Sequence, residues 1–269
     1  MSNLKRTTIV LCGLFLFAIT PSINAYDDGD WQNWQTYKVK GKMTDTITAS
    51  LEIEARFADN VSEYCYLHAD GGVSFSVHKF FSLGFNMRFK NELKKASKVH
   101  PWKDVDTEGL PDEFQDQWDA IMGSNLWVKK YSPHINATVS FKPGGSKLKA
   151  RTRLEIGITK DQVLNTANGG YDIVGETSTD YYLREKVSYD LPFKFSIVQP
   201  WVADELFFKL NAEEDENFFY RNRLSAGIKL KIYEKLTLSP YWLLQMTEKK
   251  KDDEWKKYYV IGLKTELGF

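Results

Sequence analysis

The sequence predicts an all-β fold, a transmembrane antiparallel β-barrel of about 10–12 strands with short periplasmic turns and longer external loops. The first observation is a series of segments in which apolar and polar residues alternate, the pattern of strands with one face in lipid. The second is composition: aromatic residues make up 14% of the chain, yet its mean hydropathy is −0.43. The third is that short and long connections alternate along the chain, which a soluble sandwich does not require.

The first 25 residues are predicted to be a secretory signal peptide, which leaves residues 26–269 as one barrel domain. Lys5 and Arg6 form the charged start, an apolar run follows, and small residues lead to cleavage after Ala25. No later run of about 20 apolar residues exists, so no transmembrane helix is predicted. Cys65 is then the only mature cysteine, which excludes an internal disulfide and a cysteine metal cluster.

The first half of the barrel domain contains six segments with the strand pattern. In residues 47–57, Leu51 and Ile53 fall on one face while Glu52 and Glu54 fall on the other. The same alternation recurs in the fourth and sixth segments, where Leu and Phe or Ile alternate with Arg, Lys and Glu. The six predicted strands are residues 34–43, 47–57, 64–77, 81–90, 134–142 and 147–158.

Five further segments complete the prediction. Aromatic residues concentrate near their ends, as in the interfacial girdles of membrane barrels. These residues include Tyr189, Trp201, Tyr233, Trp242 and Tyr259. From the second segment onward, short and long connections alternate strictly, as expected of periplasmic turns and external loops. The five predicted strands are residues 181–191, 195–210, 218–233, 236–248 and 255–269.

The first segment, residues 34–43, conflicts with this regular arrangement. A short Thr–Asp–Thr turn joins it to the second segment, so it would start on the external side and give an odd number of strands. Bacterial barrels built from one chain have an even number of strands. Either residues 34–43 lie in the lumen or periplasm, or a twelfth strand lies in residues 25–34 or 91–130.

The last segment, residues 255–269, sets the orientation of the barrel. Counting back in twos from Phe269 gives Leu267 and Leu263 on one face, with Glu266 on the other. A strand that ends on an aromatic residue resembles the terminal strand of outer-membrane barrels, which the barrel assembly machinery reads. Phe269 is therefore the predicted insertion signal, and the expected location is the outer membrane of a Gram-negative bacterium, in contact with lipid.

Charged residues at alternate strand positions are predicted to point into the barrel, because a cation on the lipid face costs about 2–4 kcal/mol near the midplane. One interpretation is a packed lumen in which Arg–Glu pairs hold a narrow barrel shut. The other is a small channel that prefers anions, since basic groups outnumber acidic ones. The predicted lumen charges are Glu52, Glu54, Arg56, Arg88, Arg151, Arg153, Glu155, Arg184, Lys186, Arg221 and Arg223.

Several strand motifs support a family assignment. A tryptophan-led start, "NWQTYKVKGKMTDTITASLEIEARF", is followed by "FSLGFNMRF", "YYLREKVSYDL", "YRNRLSAGIKL" and a final "YYVIGLKTELGF". Together they resemble the outer-membrane barrel family catalogued as domain of unknown function 2490. The resemblance covers nearly all of the mature chain except the long loop, and implies an outer-membrane barrel. It brings no catalytic or binding residues with it.

The longest connection, residues 91–130, contains an acidic motif with calcium-loop spacing. Asp104, Asp106, Glu108 and Asp112 occupy the first, third, fifth and ninth positions of such a loop. The glycine of the motif stands one place later than in an EF-hand, so a solvated acidic loop is the alternative. Calcium is the one candidate cofactor that the sequence suggests.

The expected function is a structural barrel or a narrow pore, which would pass small anionic solutes if it conducts. The alternative is an outer-membrane lipid hydrolase or acyltransferase, for which His68 with Ser74 or Ser76 is the candidate pair. No third orienting group at a lipid boundary accompanies them, so the chain is not expected to be an enzyme. The 36 basic and 36 acidic residues balance, so nucleic acid is not an expected partner, and the oligomeric state stays open.

Overall fold

The computed structural model describes residues 29–58, 61–94, 126–165, 172–193, 197–214, 216–248 and 254–269. They form one closed barrel of eleven strands, with a single 3₁₀ turn at Pro143–Gly145. Among these residues, no helix is long and apolar enough to span a membrane. The strands are β1 (Asp30–Lys42), β2 (Ile47–Ala58), β3 (Glu63–His78), β4 (Phe81–Lys94), β5 (Leu126–Phe141), β6 (Lys147–Asn165), β7 (Asp172–Asp190), β8 (Val198–Lys209), β9 (Phe219–Tyr233), β10 (Leu236–Thr247) and β11 (Lys256–Gly268).

All eleven predicted strands are confirmed, and the main difference is their length. β5, β6 and β7 extend well beyond the predicted ends, into the polar stretches on either side of the long connections. Their pairing explains the extension, since β6 and β7 stay in register from Lys147↔Asp190 to Asn165↔Asp172. Two paired strands satisfy each other's backbone groups even where the sequence no longer alternates.

The position of the first strand corrects both alternatives given by the sequence. β1 lies in the barrel wall, where it pairs antiparallel with β2 and parallel with β11. Because β1 and β11 run in the same direction, an odd number of strands closes without a twelfth. β1 and β11 pair with Trp34 opposite Gly262. This pairing covers one edge of each strand, which would otherwise expose unpaired backbone groups.

The barrel has two unlike ends. At one end, short connections such as residues 43–46, 79–80, 142–146 and 234–235 join the strands; it is called the turn end below. The opposite end, where β2 ends and β3 begins, is called the loop end. β1 and β11 both run from the loop end to the turn end.

The outer face of the wall is apolar. Leu51, Phe85, Ile135 and Leu154 each expose between 47% and 52% of their surface there, as lipid-facing side chains of an isolated barrel do. Trp201 departs from the predicted girdle. It points inward on the face of β8 that also carries Glu205, and its ring packs on Tyr241 at 6.2 Å between centroids.

Two carboxylates also lie on the outer face, on β7 and β8. Glu185 accepts a hydrogen bond from Thr152 at 2.9 Å, and Asp204 accepts one from Asn222 at 2.7 Å. The exposed Val187 and Val202 flank them on the same face. On the outer face of β7, Glu185 stands four residues from each of two tyrosines, Tyr181 and Tyr189. Glu185 therefore lies near the middle of the apolar belt, and Asp204 is its diagonal neighbour.

Replacing Glu185 by leucine is expected to stabilise the folded barrel in phospholipid vesicles by about 1 kcal/mol. The substitution removes a mid-belt carboxylate, whose cost is smaller than that of a lysine or arginine there. Urea titration of the vesicle-inserted protein measures the change. Glu234→Leu, in the turn between β9 and β10, is the control that should leave the stability unchanged. A loss of stability in Glu185→Leu alone would show that the hydrogen bond from Thr152 outweighs the cost of the carboxylate in the belt.

A close approach between β10 and β11 requires a glycine. The Tyr241 ring lies over Gly262, so a Cβ there would overlap ring carbons. Gly262→Ala is expected to cost about 1–3 kcal/mol of unfolding free energy, because the ring must leave its rotamer. Gly268→Ala, on the same face of β11 with no atom closer than 3.9 Å to its Cβ, is the matched control. Urea titration of both variants should separate them, and equal values would contradict the overlap.

Candidate functional site: the barrel lumen

The structure places all eleven predicted lumen charges on the inner face of the wall. Most of them form ion pairs with one another, while Arg221 and Arg223 stack on aromatic rings. Three zones follow one another along the lumen. An aromatic–arginine layer lies toward the loop end, a constriction of buried ion pairs lies at mid-height, and a lysine-rich vestibule lies at the turn end.

The constriction contains Glu155 of β6, whose side chain is only 2% exposed. Its carboxylate lies 2.6 Å from the Lys90 ammonium, 3.1 Å from the Arg184 guanidinium and 3.8 Å from that of Arg88. Lys90 and Arg88 belong to β4, so these contacts reach across the inner face of β5, the strand between β4 and β6. One carboxylate thereby joins three strands.

Glu205 of β8 has a similar set of partners on the next part of the wall. It lies 2.8 Å from Arg151 of β6, 2.9 Å from Arg184 and 3.5 Å from Lys186 of β7. Arg184 therefore bridges Glu155 and Glu205 with its two terminal nitrogens. This bridge makes the two carboxylates parts of one network.

Asp70 of β3 completes the constriction on the opposite side of Glu155. It accepts hydrogen bonds from Arg88 at 2.6 Å and 2.9 Å and from Asn86 at 3.0 Å. The Arg153 guanidinium lies 4.0 Å away. Arg88 and Arg153 thereby link Asp70 to the Glu155 cluster.

Glu52 and Glu54 of β2 extend the network toward the seam between β1 and β11. Glu54 lies 2.6 Å from Arg56 and accepts a hydrogen bond from Thr36 at 3.0 Å. Glu52 is shared by Lys38 of β1 at 2.9 Å and Lys264 of β11 at 3.0 Å. The two glutamates therefore bind three strands together around the parallel closure.

The aromatic–arginine layer consists of cations stacked on rings. Arg56 lies 3.7 Å from the ring centroid of the buried Trp34, and Arg223 lies 4.9 Å from it. Phe207 of β8 contacts Arg223 at 4.8 Å and Arg184 at 4.5 Å. Arg221, further from the rings, stacks on Tyr220 and Phe207 at 5.2 Å and 5.5 Å. Cation–π contacts of this kind fill the space above the constriction.

Trp34 and Phe207 are residues of the candidate site that the sequence does not predict. Both stand at inward positions of their strands, Trp34 next to Arg56 across the β1–β2 pair and Phe207 next to Arg184 across the β7–β8 pair. The sequence does show that each of these large aromatic residues alternates in step with the lumen charges of its strand. Alternation does not predict which ring contacts which guanidinium, because that contact depends on cross-strand register.

Packing leaves little room for solute at mid-height. The side chains of Arg88, Asp70, Glu155, Arg153 and Glu205 expose between 2% and 8% of their surface. The geometry corresponds to the packed-lumen interpretation at this level.

The vestibule differs from the constriction in exposure and in charge. Lys40, Lys186, Lys229 and Lys264 expose between 34% and 40% of their side chains. Lys40 pairs with Glu266 at 2.8 Å, and Lys229 pairs with Asp190. Lys38, Lys147 and Lys149 face the same space, so lysines outnumber carboxylates at this end.

Two histidines lie inside the constriction and not at a lipid boundary. His68 lies 3.7 Å from Glu52, 3.6 Å from Glu54 and 3.1 Å from the Tyr66 hydroxyl. His134 lies 3.5 Å from Asp70 and contacts the backbone oxygen of Ser132. In the described part of the chain, no serine hydroxyl is hydrogen-bonded to either ring.

Two further sequence predictions concern the acidic motif of the longest connection and the C-terminal residue. Asp104, Asp106, Glu108 and Asp112, the calcium candidates, lie outside the described residues. Within the described ranges, no group of three or more His, Cys, Asp or Glu side chains is arranged to hold a metal ion. Phe269 follows β11, is 64% exposed, and donates its backbone N–H to the Lys40 oxygen at 3.0 Å. Its role as an insertion signal stays a prediction.

The comparison with protein families identifies the barrel. A family model described as a protein of unknown function, DUF2490, matches residues 31–256. The chain belongs to the DUF2490 family. The match covers the nine strands β2 to β10 completely, β1 except its first residue, and the first residue of β11, and it confirms the family resemblance found in the strand motifs. It includes every predicted lumen charge, although the family description assigns no activity to them.

No curated protein sequence matches this DUF2490 chain. Among solved structures, it is similar to the β domain of the Bordetella autotransporter BrkA, with 11% identity, a TM-score of 0.47, and coverage of 81% of this chain and 82% of that one. It is similar to the NanC porin, with 11% identity, a TM-score of 0.46, and coverage of 88% and 99%. The translocator domain of NalP from Neisseria meningitidis has 7% identity, a TM-score of 0.41, and coverage of 78% and 71%.

Proposed function

We propose that this barrel resides in the outer membrane of a Gram-negative bacterium and forms a narrow pore that prefers anions and is closed at mid-height at rest. The observation that carries the proposal is the constriction, in which three carboxylates, Asp70, Glu155 and Glu205, are each shared by several cations and are nearly inaccessible. With eleven strands, the barrel lies between barrels of about eight strands, whose interior side chains fill, and porins of about 16 strands, which enclose an aqueous channel.

Charge supports anions over cations as the conducted species. Lysines dominate the vestibule, and arginines outnumber carboxylates among the predicted lumen charges. Rings of basic side chains lower the barrier for anions and raise it for cations. The apolar outer face supports placement in a membrane, because exposed leucine, isoleucine and phenylalanine would be unfavourable in water over such an area.

In planar bilayers, the wild-type barrel is expected to give rare, small conductance steps, and a salt gradient is expected to give a reversal potential that indicates anion preference. The buried ion pairs explain the small steps, and the vestibule lysines explain the selectivity. Large, steady, non-selective conductance from the folded protein would contradict the closed constriction. Complete absence of channel events from the wild type and from the variant below would eliminate the pore.

Arg184→Ala is expected to increase the conductance at least severalfold while preserving anion preference. Arg184 bridges Glu155 and Glu205, but both carboxylates keep other cations when it is removed: Lys90 for Glu155 and Arg151 for Glu205. The variant therefore removes bulk without leaving an unpaired charge. Lys129→Ala, an exposed loop-end position of β5, is the control and should conduct like the wild type.

The proposal assigns no enzymatic reaction to the barrel. The constriction histidines are almost inaccessible, with side-chain exposures of 4% for His68 and 0% for His134, so a lipid would not reach them without opening the network. Incubation of the purified barrel with phospholipid and lipopolysaccharide tests the alternative. Hydrolysis or acyl transfer that is lost in His68→Ala would support the lipid-modifying enzyme instead.

A further inference from the structure

We infer that the turn-end vestibule is a binding site for an anion that carries closely spaced phosphate groups. The site consists of Lys38, Lys40, Lys147, Lys149, Lys229 and Lys264 on the inner face. This inference rests on the proposed lumen function for the orientation of the barrel. It concerns equilibrium binding and does not require that the anion pass through the constriction.

Lys149 of β6 lies among cations. Lys147 and Arg151 flank it on the same face of its own strand, and Lys38 and Lys40 of β1 stand on the opposite wall. Within the described part of the chain, no hydrogen bond or ion pair to a carboxylate involves Lys149. A partly buried ammonium surrounded by cations is costly unless an anion joins it.

The vestibule lysines stand on opposite walls of the barrel. β6 and β1 are five strands apart in one direction and six in the other. Lys147 and Lys149 of β6 therefore face Lys38 and Lys40 of β1 across the lumen. A single anion between these walls would replace mutual repulsion with attraction on both sides.

The neighbouring lysines do not have enough carboxylates to neutralise them. Lys38 and Lys264 share one carboxylate, Glu52, while Lys40 and Lys229 have one partner each. Exposures of 35–40% for Lys40, Lys229 and Lys264 leave these ammonium groups accessible from the turn end. The set therefore has a positive excess at a surface that solutes can reach.

The residue type favours phosphate over carboxylate. Carboxylate recognition in proteins often uses the planar fork of arginine in a two-point contact, whereas lysine acts as a point charge with three donors. The proposed site contains six lysines, and the neighbouring Lys186 and Arg151 are already paired with Glu205. Several point charges around one space suit the tetrahedral, multiply charged phosphate group.

Calorimetric titration of the full barrel in nanodiscs tests the inference, with inorganic pyrophosphate as the probe and ionic strength held constant with chloride. Saturable binding to the wild type is expected. Lys149→Gln and Lys40→Gln should each weaken it about tenfold, because each removes a charged hydrogen-bond donor. Lys160→Gln, on the same strand β6 but at the loop end, is the control that should bind like the wild type. Heat-modified migration in gels confirms that every variant is folded.

Three outcomes would overturn the inference. The wild type could show no saturable binding of pyrophosphate. Lys160→Gln could weaken binding as much as Lys149→Gln, which would indicate non-specific attraction to the whole protein. Citrate could bind as tightly as pyrophosphate, which would assign the site to polycarboxylates. Binding without conductance would leave the inference intact and contradict only the pore, whereas conductance without binding would do the reverse.

Discussion

A barrel with cysteines in place of Val39 and Leu267 is expected to form an internal disulfide in most molecules on mild oxidation. The two residues are register partners in the parallel pair of β1 and β11, and both side chains fall on the outer face. Neighbouring strands lie about 4.8 Å apart, within the Cα separation that a disulfide accepts. The chain should begin at residue 26 and carry Cys65→Ala, so that no other thiol competes.

The control is the pair Val39→Cys and Ile261→Cys. Ile261 also lies on the outer face of β11 but pairs with Asn33, six residues away from Val39 along β1. This pair should remain reduced under the same conditions, as shown by mass spectrometry of the folded protein. Equal oxidation of both pairs, or no oxidation of either, would contradict the parallel register and restore a first strand outside the wall.

The sequence predicts the number of strands well but not how the ends meet. Alternation identifies all eleven segments, because each strand has one face toward lipid and one toward the lumen. Strand direction also follows, since the short turn after β1 places its start at the loop end. The barrel closes where Trp34 of β1 pairs with Gly262 of β11, more than two hundred residues away in the sequence. Alternation with a period of two does not predict which strand pairs with which, or whether the pair is parallel.

For the lumen, the alternation of the sequence predicts which charged side chains share a face, but it does not predict which of them form ion pairs. Alternation places Arg184, Glu155 and Glu205 on one face, but the bridge through Arg184 depends on the stagger of three strands. The outer carboxylates illustrate the same limit. Glu185 and Asp204 stand at positions of β7 and β8 that alternate with the lumen positions and therefore face outward. Their placement conflicts with the expectation that charged side chains point inward.

Replacing Glu155 by leucine is expected to destabilise the barrel strongly. The carboxylate is 2% exposed and contacts Lys90, Arg88 and Arg184, so its removal leaves neighbouring cations buried with less compensation. Breaking a buried ion pair from one side costs about 3–5 kcal/mol. Urea titration of the vesicle-inserted barrel, followed by tryptophan fluorescence, measures the loss.

Glu266→Leu is the matched control for Glu155→Leu, because it removes a glutamate from the same lumen. Glu266 has one partner, Lys40, and both side chains are at least 35% exposed, so less than about 1 kcal/mol should be lost. Adding Lys90→Met to Glu155→Leu should recover part of the lost stability, because it removes one of the cations left behind. Equal, small losses in both single variants would mean that water reaches the constriction, and the closed lumen would then be wrong.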